Sequence, residues 1–93
     1  MPTSAQVNDA ALAARIRQLI DEGRLPVIIA NRIHAGYGSG LECHACGRPI
    51  LRDQIEYDVS EPTPLRLHMG CHVLWQTECV ERIRQQPRVS LKA

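Results

Sequence analysis

Two pairs of potential metal ligands stand out in this sequence, because two residues separate the members of each pair. Cys43 and Cys46 form the first pair, and His68 and Cys71 form the second, with 21 residues between Cys46 and His68. Thiolate sulfur and imidazole nitrogen are the ligands that Zn²⁺ prefers in tetrahedral protein sites. We therefore predict that Cys43, Cys46, His68 and Cys71 bind one zinc ion.

The spacing within each pair is suited to bringing its two side chains together. A tight turn places both sulfurs of the first pair on one side of the chain, and Gly47 suits the positive φ at which such a turn ends. His68 and Cys71 lie at i and i+3 around the start of a predicted helix, where the helix dipole favours a thiolate. Because protein side chains fill all four positions, none is open for an activated water. We predict a structural and not a catalytic zinc.

The other cysteine and histidines are predicted to lie outside this site. Cys79 is eight residues beyond Cys71, about 12 Å along a helix axis, so we interpret it as a buried thiol. His44 should point away from the metal, and His34 is interpreted as a surface or loop residue. His72 is rotated about 100° from Cys71 around the helix and is at most a substitute for His68.

An amphipathic helix is predicted from about Thr3 to Glu22. Gly23 and Pro26 follow it as stop signals, and Thr3 with Gln6, or Asn8 alone, could cap its start. Its apolar stripe consists of Leu12, Ile16, Leu19 and Ile20. We expect this stripe to pack either on the zinc-binding part of the chain or on a second chain.

The segment Leu25–Ala35 is ambiguous between helix and strand. Its β-branched residues favour a strand, whereas Pro26 at a first helical position and Gly36 beyond the end favour a short helix, which we slightly prefer. Gly36–Gly40 is predicted to be a loop; its glycine spacing does not match a phosphate-binding loop.

The second half of the chain predicts a β-hairpin followed by a helix. Apolar and polar residues alternate over Ile55–Val59 and again around Arg66, and two prolines lie between the two runs. A helix is then predicted over Met69–Gln86, ended by Pro87. Its apolar face is predicted to hold Met69, Val73, Leu74, Val80 and Ile83.

Length and composition bound the chain to one small domain, which the predicted helices and hairpin make α+β. It has 93 residues, of which 44% are hydrophobic and only 3% aromatic, so its core is thin and needs a staple such as a metal. The net charge of +1 argues against a strongly basic nucleic-acid arm, an acidic tail or a disordered chain. We divide the chain into an N-terminal extension (1–40), a zinc finger (41–87) and a tail (88–93).

A reducing, cytoplasmic environment is expected from the absence of targeting signals. Met1–Asn8 has neither a positive cluster nor a long apolar run, and the longest apolar run of the chain is Val27–Ala30. Spaced cysteines in such a compartment indicate metal ligands more than disulfides.

The segment from Cys43 to Cys79, about 40% of the chain, resembles a treble-clef zinc finger. It combines C-x2-C-G-x-P-I, an intervening hairpin, H-x2-C at the start of a helix, and Trp75. Its ligand order is similar to the first half of a LIM module and to the DNA-break-sensing finger of poly(ADP-ribose) polymerases. The block also resembles short bacterial zinc-binding proteins. It departs from LIM because no second ligand quartet follows, and from the polymerase finger in its shorter loop and its lack of a strongly basic face. The resemblance implies the fold and the four ligands, but no particular partner.

These observations predict a small structural-zinc module that acts as a protein-interaction or regulatory adaptor. A nucleic-acid-binding, transcription-associated finger is the alternative, and a thiol or metal sensor with Cys79 as its resolving thiol is a third hypothesis. No carboxylate pair or nucleophile–base pair is brought together by the sequence, so an enzyme is not expected. The basic residues that favour the nucleic-acid alternative are Arg15, Arg17, Arg24, Arg32, Arg82, Arg84, Arg88 and Lys92.

Overall fold

The computed structural model describes residues 2–60 and 63–86 and shows an α+β fold. Its elements are α1 (Pro2–Asp21), β1 (Ile33–Tyr37), β2 (Ile55–Val59), β3 (Leu65–His68) and α2 (Met69–Gln85). The strands form an antiparallel sheet in the order β1-β2-β3, with Tyr57 of β2 opposite Ala35 on one side and Leu67 on the other. The predicted β2–β3 hairpin is confirmed.

The N-terminal helix follows its prediction. Ile16, Leu19 and Ile20 are buried, and Leu12 packs against them at the edge of the core. The helix ends where Gly23 adopts a φ of 78°, which lets the backbone N–H groups of Arg24 and Leu25 bond to the carbonyl of Leu19. The predicted capping side chains Thr3, Gln6 and Asn8 lie outside the described side chains.

The predicted helix over Leu25–Ala35 is wrong. The chain has no regular secondary structure over residues 26–32 and enters β1 at Ile33, so Gly36 and Tyr37, predicted to be loop residues, belong to a strand. Side chains of α2 bind the backbone of this segment. Gln76 accepts from the N–H of Ala30 at 2.8 Å and donates to the carbonyl of Ile28 at 2.9 Å. Since these polar groups are satisfied by α2, the segment needs no helix of its own.

The helix α2 is confirmed, but its predicted apolar face is not the face that packs into the core. Its buried residues are Cys71, Trp75 and Cys79. Trp75 is fully buried, and its indole N–H donates to the carbonyl of Pro26 at 2.9 Å. This anchor turns a different stripe outward: Leu74 is half-buried, and the exposed residues are Met69, Val73, Val80 and Ile83. The tail at 88–93 and Pro87 lie outside the described residues.

The alternation predicted for β2 also has one exception. Glu56, expected on the solvent side, is 6% exposed. Its carboxylate accepts hydrogen bonds from the backbone N–H and the hydroxyl of Ser39 at 2.9 and 2.7 Å. Burial acts to raise the pKa of Glu56, but hydrogen bonds from Asp58 and Ser39 leave it below its usual value.

The core is built around α2, which packs against α1 and against β2 and β3. An ion pair reinforces the helix contact: Arg82 bonds to Asp21 at 2.8 Å and to Glu78 at 2.9 Å. Among residues 2–60 and 63–86, neither helix combines the length and hydrophobicity that crossing a bilayer requires.

Candidate metal centre

The first ligand pair lies on a tight turn between β1 and β2. The turn is closed by bonds from the Cys43 N–H to the Arg48 carbonyl and from the Gly47 N–H to the Cys43 carbonyl, both 2.9 Å. Gly47 has a φ of 78°, as its place at the end of the turn predicted. A side chain of α1 fastens the turn as well, since Nε of Arg15 donates to the carbonyl of Ala45 at 2.6 Å. These bonds fix the backbone that carries both sulfurs.

The second pair lies where β3 becomes α2. His68 is the last residue of β3 and the N-cap of α2, with an extended backbone (φ −61°, ψ 153°), and Cys71 lies in the first helical turn. The hairpin brings this junction beside the first pair, because the N–H of His44 bonds to the carbonyl of Arg66 at 2.8 Å. The sheet and the helix therefore position one ligand each.

The four predicted ligands converge on one point. One ligand atom from each of Cys43, Cys46, His68 and Cys71 lies within 4.8 Å of all the others. Nδ1 of His68 is 3.4 Å from the sulfur of Cys46 and 3.9 Å from that of Cys71. A tetrahedral zinc site separates its ligand atoms by about 3.5 to 3.8 Å. The arrangement therefore fits one metal ion.

The three thiols differ in burial and in the direction in which their pKa values shift. Cys43 and Cys71 are 2% and 3% exposed, whereas Cys46 is half-buried. A hydrogen bond from Cys71 lowers the pKa of Cys43 to about 4, aided by backbone N–H groups such as that of Ala45, 3.3 Å from its sulfur. The same hydrogen bond, together with burial, raises the pKa of Cys71, and burial raises that of Cys46. A divalent cation would replace the remaining thiol protons.

A glutamine that sequence reasoning missed supports the histidine ligand. Oε1 of Gln54 lies 3.1 Å from Nε2 of His68 and also accepts from the N–H of Leu51 at 2.8 Å. When Nδ1 binds a metal, Nε2 carries the ring hydrogen and can donate it to Gln54. Metal-bound histidines in proteins typically have such a partner. No local pattern marks Gln54, because its contact depends on the hairpin.

The other cysteine and histidines lie outside the cluster. Cys79 is fully buried, and its Sγ lies 3.5 Å from the carbonyl of Pro26. Nδ1 of His44 accepts from the N–H of Arg66 at 2.9 Å, and the ring of His72 lies 4.8 Å from that of Tyr57. His34 is exposed, as predicted, but on a strand.

Comparison with known proteins gives no match of any of three kinds: no protein-family model, no curated protein and no solved structure matches this chain.

Proposed function

We propose that this chain is a non-catalytic module in which one structural zinc ion holds a treble-clef-like finger, and that it acts as a protein-interaction or regulatory adaptor. The observation that carries the proposal is the convergence of four protein ligands within 4.8 Å. Four side chains complete a tetrahedral shell, so an ion there has no open position for a substrate or an activated water.

The donor set supports zinc as the metal. Three cysteines and one histidine are a common ligand combination of structural zinc sites. The order of elements agrees with a treble clef: a turn that carries two ligands, the hairpin β2–β3, and a helix that carries the last ligand. An ion at this point joins the turn to the junction of β3 and α2.

The adaptor role is supported by the outward stripe of α2. Met69, Val73, Val80 and Ile83 are between 38% and 55% exposed and lie along one side of the helix. Neighbouring apolar side chains on a surface commonly mark a contact with another protein. A protein partner with an apolar surface would cover this stripe.

Several basic residues predicted for nucleic-acid binding are engaged within the protein. Arg82 bridges Asp21 and Glu78. Arg15 donates to the carbonyl of Ala45 in the turn that carries Cys43 and Cys46, the metal-site turn. These contacts favour the adaptor role over the nucleic-acid alternative, since phosphate binding draws on arginines that are free to reach a ligand.

The metal is tested first, by elemental analysis of protein purified under reducing conditions, with one zinc per chain expected. The adaptor role is tested by affinity capture from cell extract with wild type and with the double variant Val73→Glu/Val80→Glu. Gln85→Glu is the matched control, because Gln85 is exposed on the same helix but on a different face from the stripe. Capture lost only in the double variant supports the proposal. Tight binding to duplex DNA with a steep salt dependence would instead favour the nucleic-acid role.

A further inference from the structure

The outer side of β1 carries backbone groups that face away from β2. Two hydrogen bonds at the ends of the β1–β2 ladder fix its phase: Ser60 N–H to the carbonyl of Arg32, 3.3 Å, and Gly38 N–H to the carbonyl of Gln54, 2.8 Å. Residues of a strand alternate in the direction of their N–H and C=O groups. Even-numbered residues of β1 therefore face β2, and Ile33, Ala35 and Tyr37 direct their three N–H and three C=O groups outward.

The two edges of the sheet differ. The edge of β3 is covered by the metal-site turn, since the backbone of Arg66 bonds to the backbone and to the ring of His44. Among the described residues, 2–60 and 63–86, β1 pairs with β2 and with no other strand. The edge of β1 is therefore open to a further strand.

The sequence of β1 lacks the usual devices that prevent edge pairing. Proteins protect open edges with proline, with charged side chains such as lysine, or with bulges. The strand Ile-His-Ala-Gly-Tyr has no proline, lysine, arginine or acid, and all five of its residues are exposed. Tyr37 is 79% exposed and Ile33 is 36% exposed.

We infer that β1 is a homodimerisation strand, which pairs antiparallel with β1 of a second copy around a two-fold axis at Ala35. In this register Ile33 lies opposite Tyr37 of the second copy, and Ala35 lies opposite Ala35. All six outward backbone groups of each strand then find partners, whereas any shifted register leaves some of them unpaired. The two sheets become one sheet of six strands.

Side chains agree with the same register. Ile33, Ala35 and Tyr37 lie on the sheet face of their β2 neighbour Tyr57, whose ring packs against His72 of α2. An aliphatic β-branched residue opposite an aromatic one is a favourable cross-strand pair. The pairing forms this contact twice by symmetry and sets no like charges opposite each other. A self-complementary strand of this kind is what a two-fold interface requires.

The test is a charge swap at the axis, made with the zinc-loaded chain of 93 residues. Ala35→Lys or Ala35→Glu sets two like charges against each other across the axis, whereas a mixture of the two variants pairs opposite charges. Sedimentation equilibrium across the micromolar range should give a dimer for wild type. Each single variant should show a dimer dissociation constant raised roughly tenfold or more, and the mixture should restore a heterodimer.

Zinc content and far-UV circular dichroism confirm that both variants fold. A monomeric wild type would overturn the inference, and so would variants that do not restore each other. A dimer that resists both Ala35 substitutions but is dissociated by Val73→Glu would place the interface on α2 and equally reject it. None of these results depends on the adaptor role, because neither an extract nor a partner protein is used.

Discussion

Gln54 and His68 are joined by a 3.1 Å contact between Oε1 and Nε2. This contact holds the histidine ring at Nε2, while Nδ1 of the same ring faces the sulfurs of Cys46 and Cys71. The same amide oxygen binds the N–H of Leu51, so the turn before β2 and the ligand are held by one atom. An acceptor at Nε2 sets the tautomer that leaves Nδ1 free for the metal and raises its basicity.

Replacing Gln54 should therefore weaken metal binding without removing a ligand. Gln54→Ala is expected to lower zinc affinity by about 10- to 100-fold, measured by competition with a chromophoric chelator. Gln54→Glu keeps the oxygen acceptor and should stay close to wild type. Arg52→Ala, an exposed neighbour in the same turn, is the control. Wild-type affinity in Gln54→Ala would contradict the positioning role.

Removing a ligand should unfold the finger, because metal binding and folding form one equilibrium in small zinc domains. Cys46→Ser and His68→Ala are each expected to lose zinc and the cooperative thermal transition seen by far-UV circular dichroism. Addition of a chelator to wild type should have the same effect. His34→Ala, which changes an exposed histidine on β1, should retain both. A ligand variant with an unchanged melting curve would show that the core suffices alone.

Gly38 and Gly36 provide a matched pair for testing backbone contact. A Cβ at Gly38 would overlap the carbonyl oxygens of Ile50 and Leu51, whereas one at Gly36 meets no atom within 4 Å. Gly38→Ala should cost about 1 to 3 kcal/mol of unfolding free energy, measured by urea denaturation at fixed zinc. Gly36→Ala should be neutral or slightly stabilising, as expected for alanine within a strand. Equal effects of the two substitutions would mean that the loop relaxes freely.

Cys79 should make stability fall at alkaline pH. Burial raises the pKa of its thiol above 9.0, so the unfolded chain ionises this group first. The resulting stabilisation is complete below pH 9 and is lost as pH rises toward the folded pKa. The difference in unfolding free energy between wild type and Cys79→Ala should shrink above pH 9, as followed by urea denaturation. A difference that is constant or grows with pH would contradict this assignment.

Local signals were enough to predict much of the fold and the ligand set. The stripe through Ile16 and Leu19 has helical spacing, and alternation marks β2 and β3. The ligand pairs can be identified from the sequence because each spans only four residues. The structure brings all four side chains together. The α+β class follows from these elements alone.

The errors arose where distant contacts decide the structure. The backbone after Pro26 is not helical, and Gln76, 46 residues beyond Ala30, binds it instead. The buried face of α2 is set by Trp75 and by the ligand Cys71, so its more regular aliphatic stripe faces outward. Gln54 acts through a histidine 14 residues away. None of these contacts leaves a periodic trace in the sequence.

The position of Trp75 makes it an intrinsic fluorescence probe of the metal site and of the helix packing. This single indole lies one helical turn beyond the last ligand and donates to the carbonyl of Pro26, in the connection that follows α1. Its emission should consequently shift to longer wavelength both when chelation loosens the start of α2 and when α1 separates from it. Fluorescence can thus time the two events in one stopped-flow trace without any added dye.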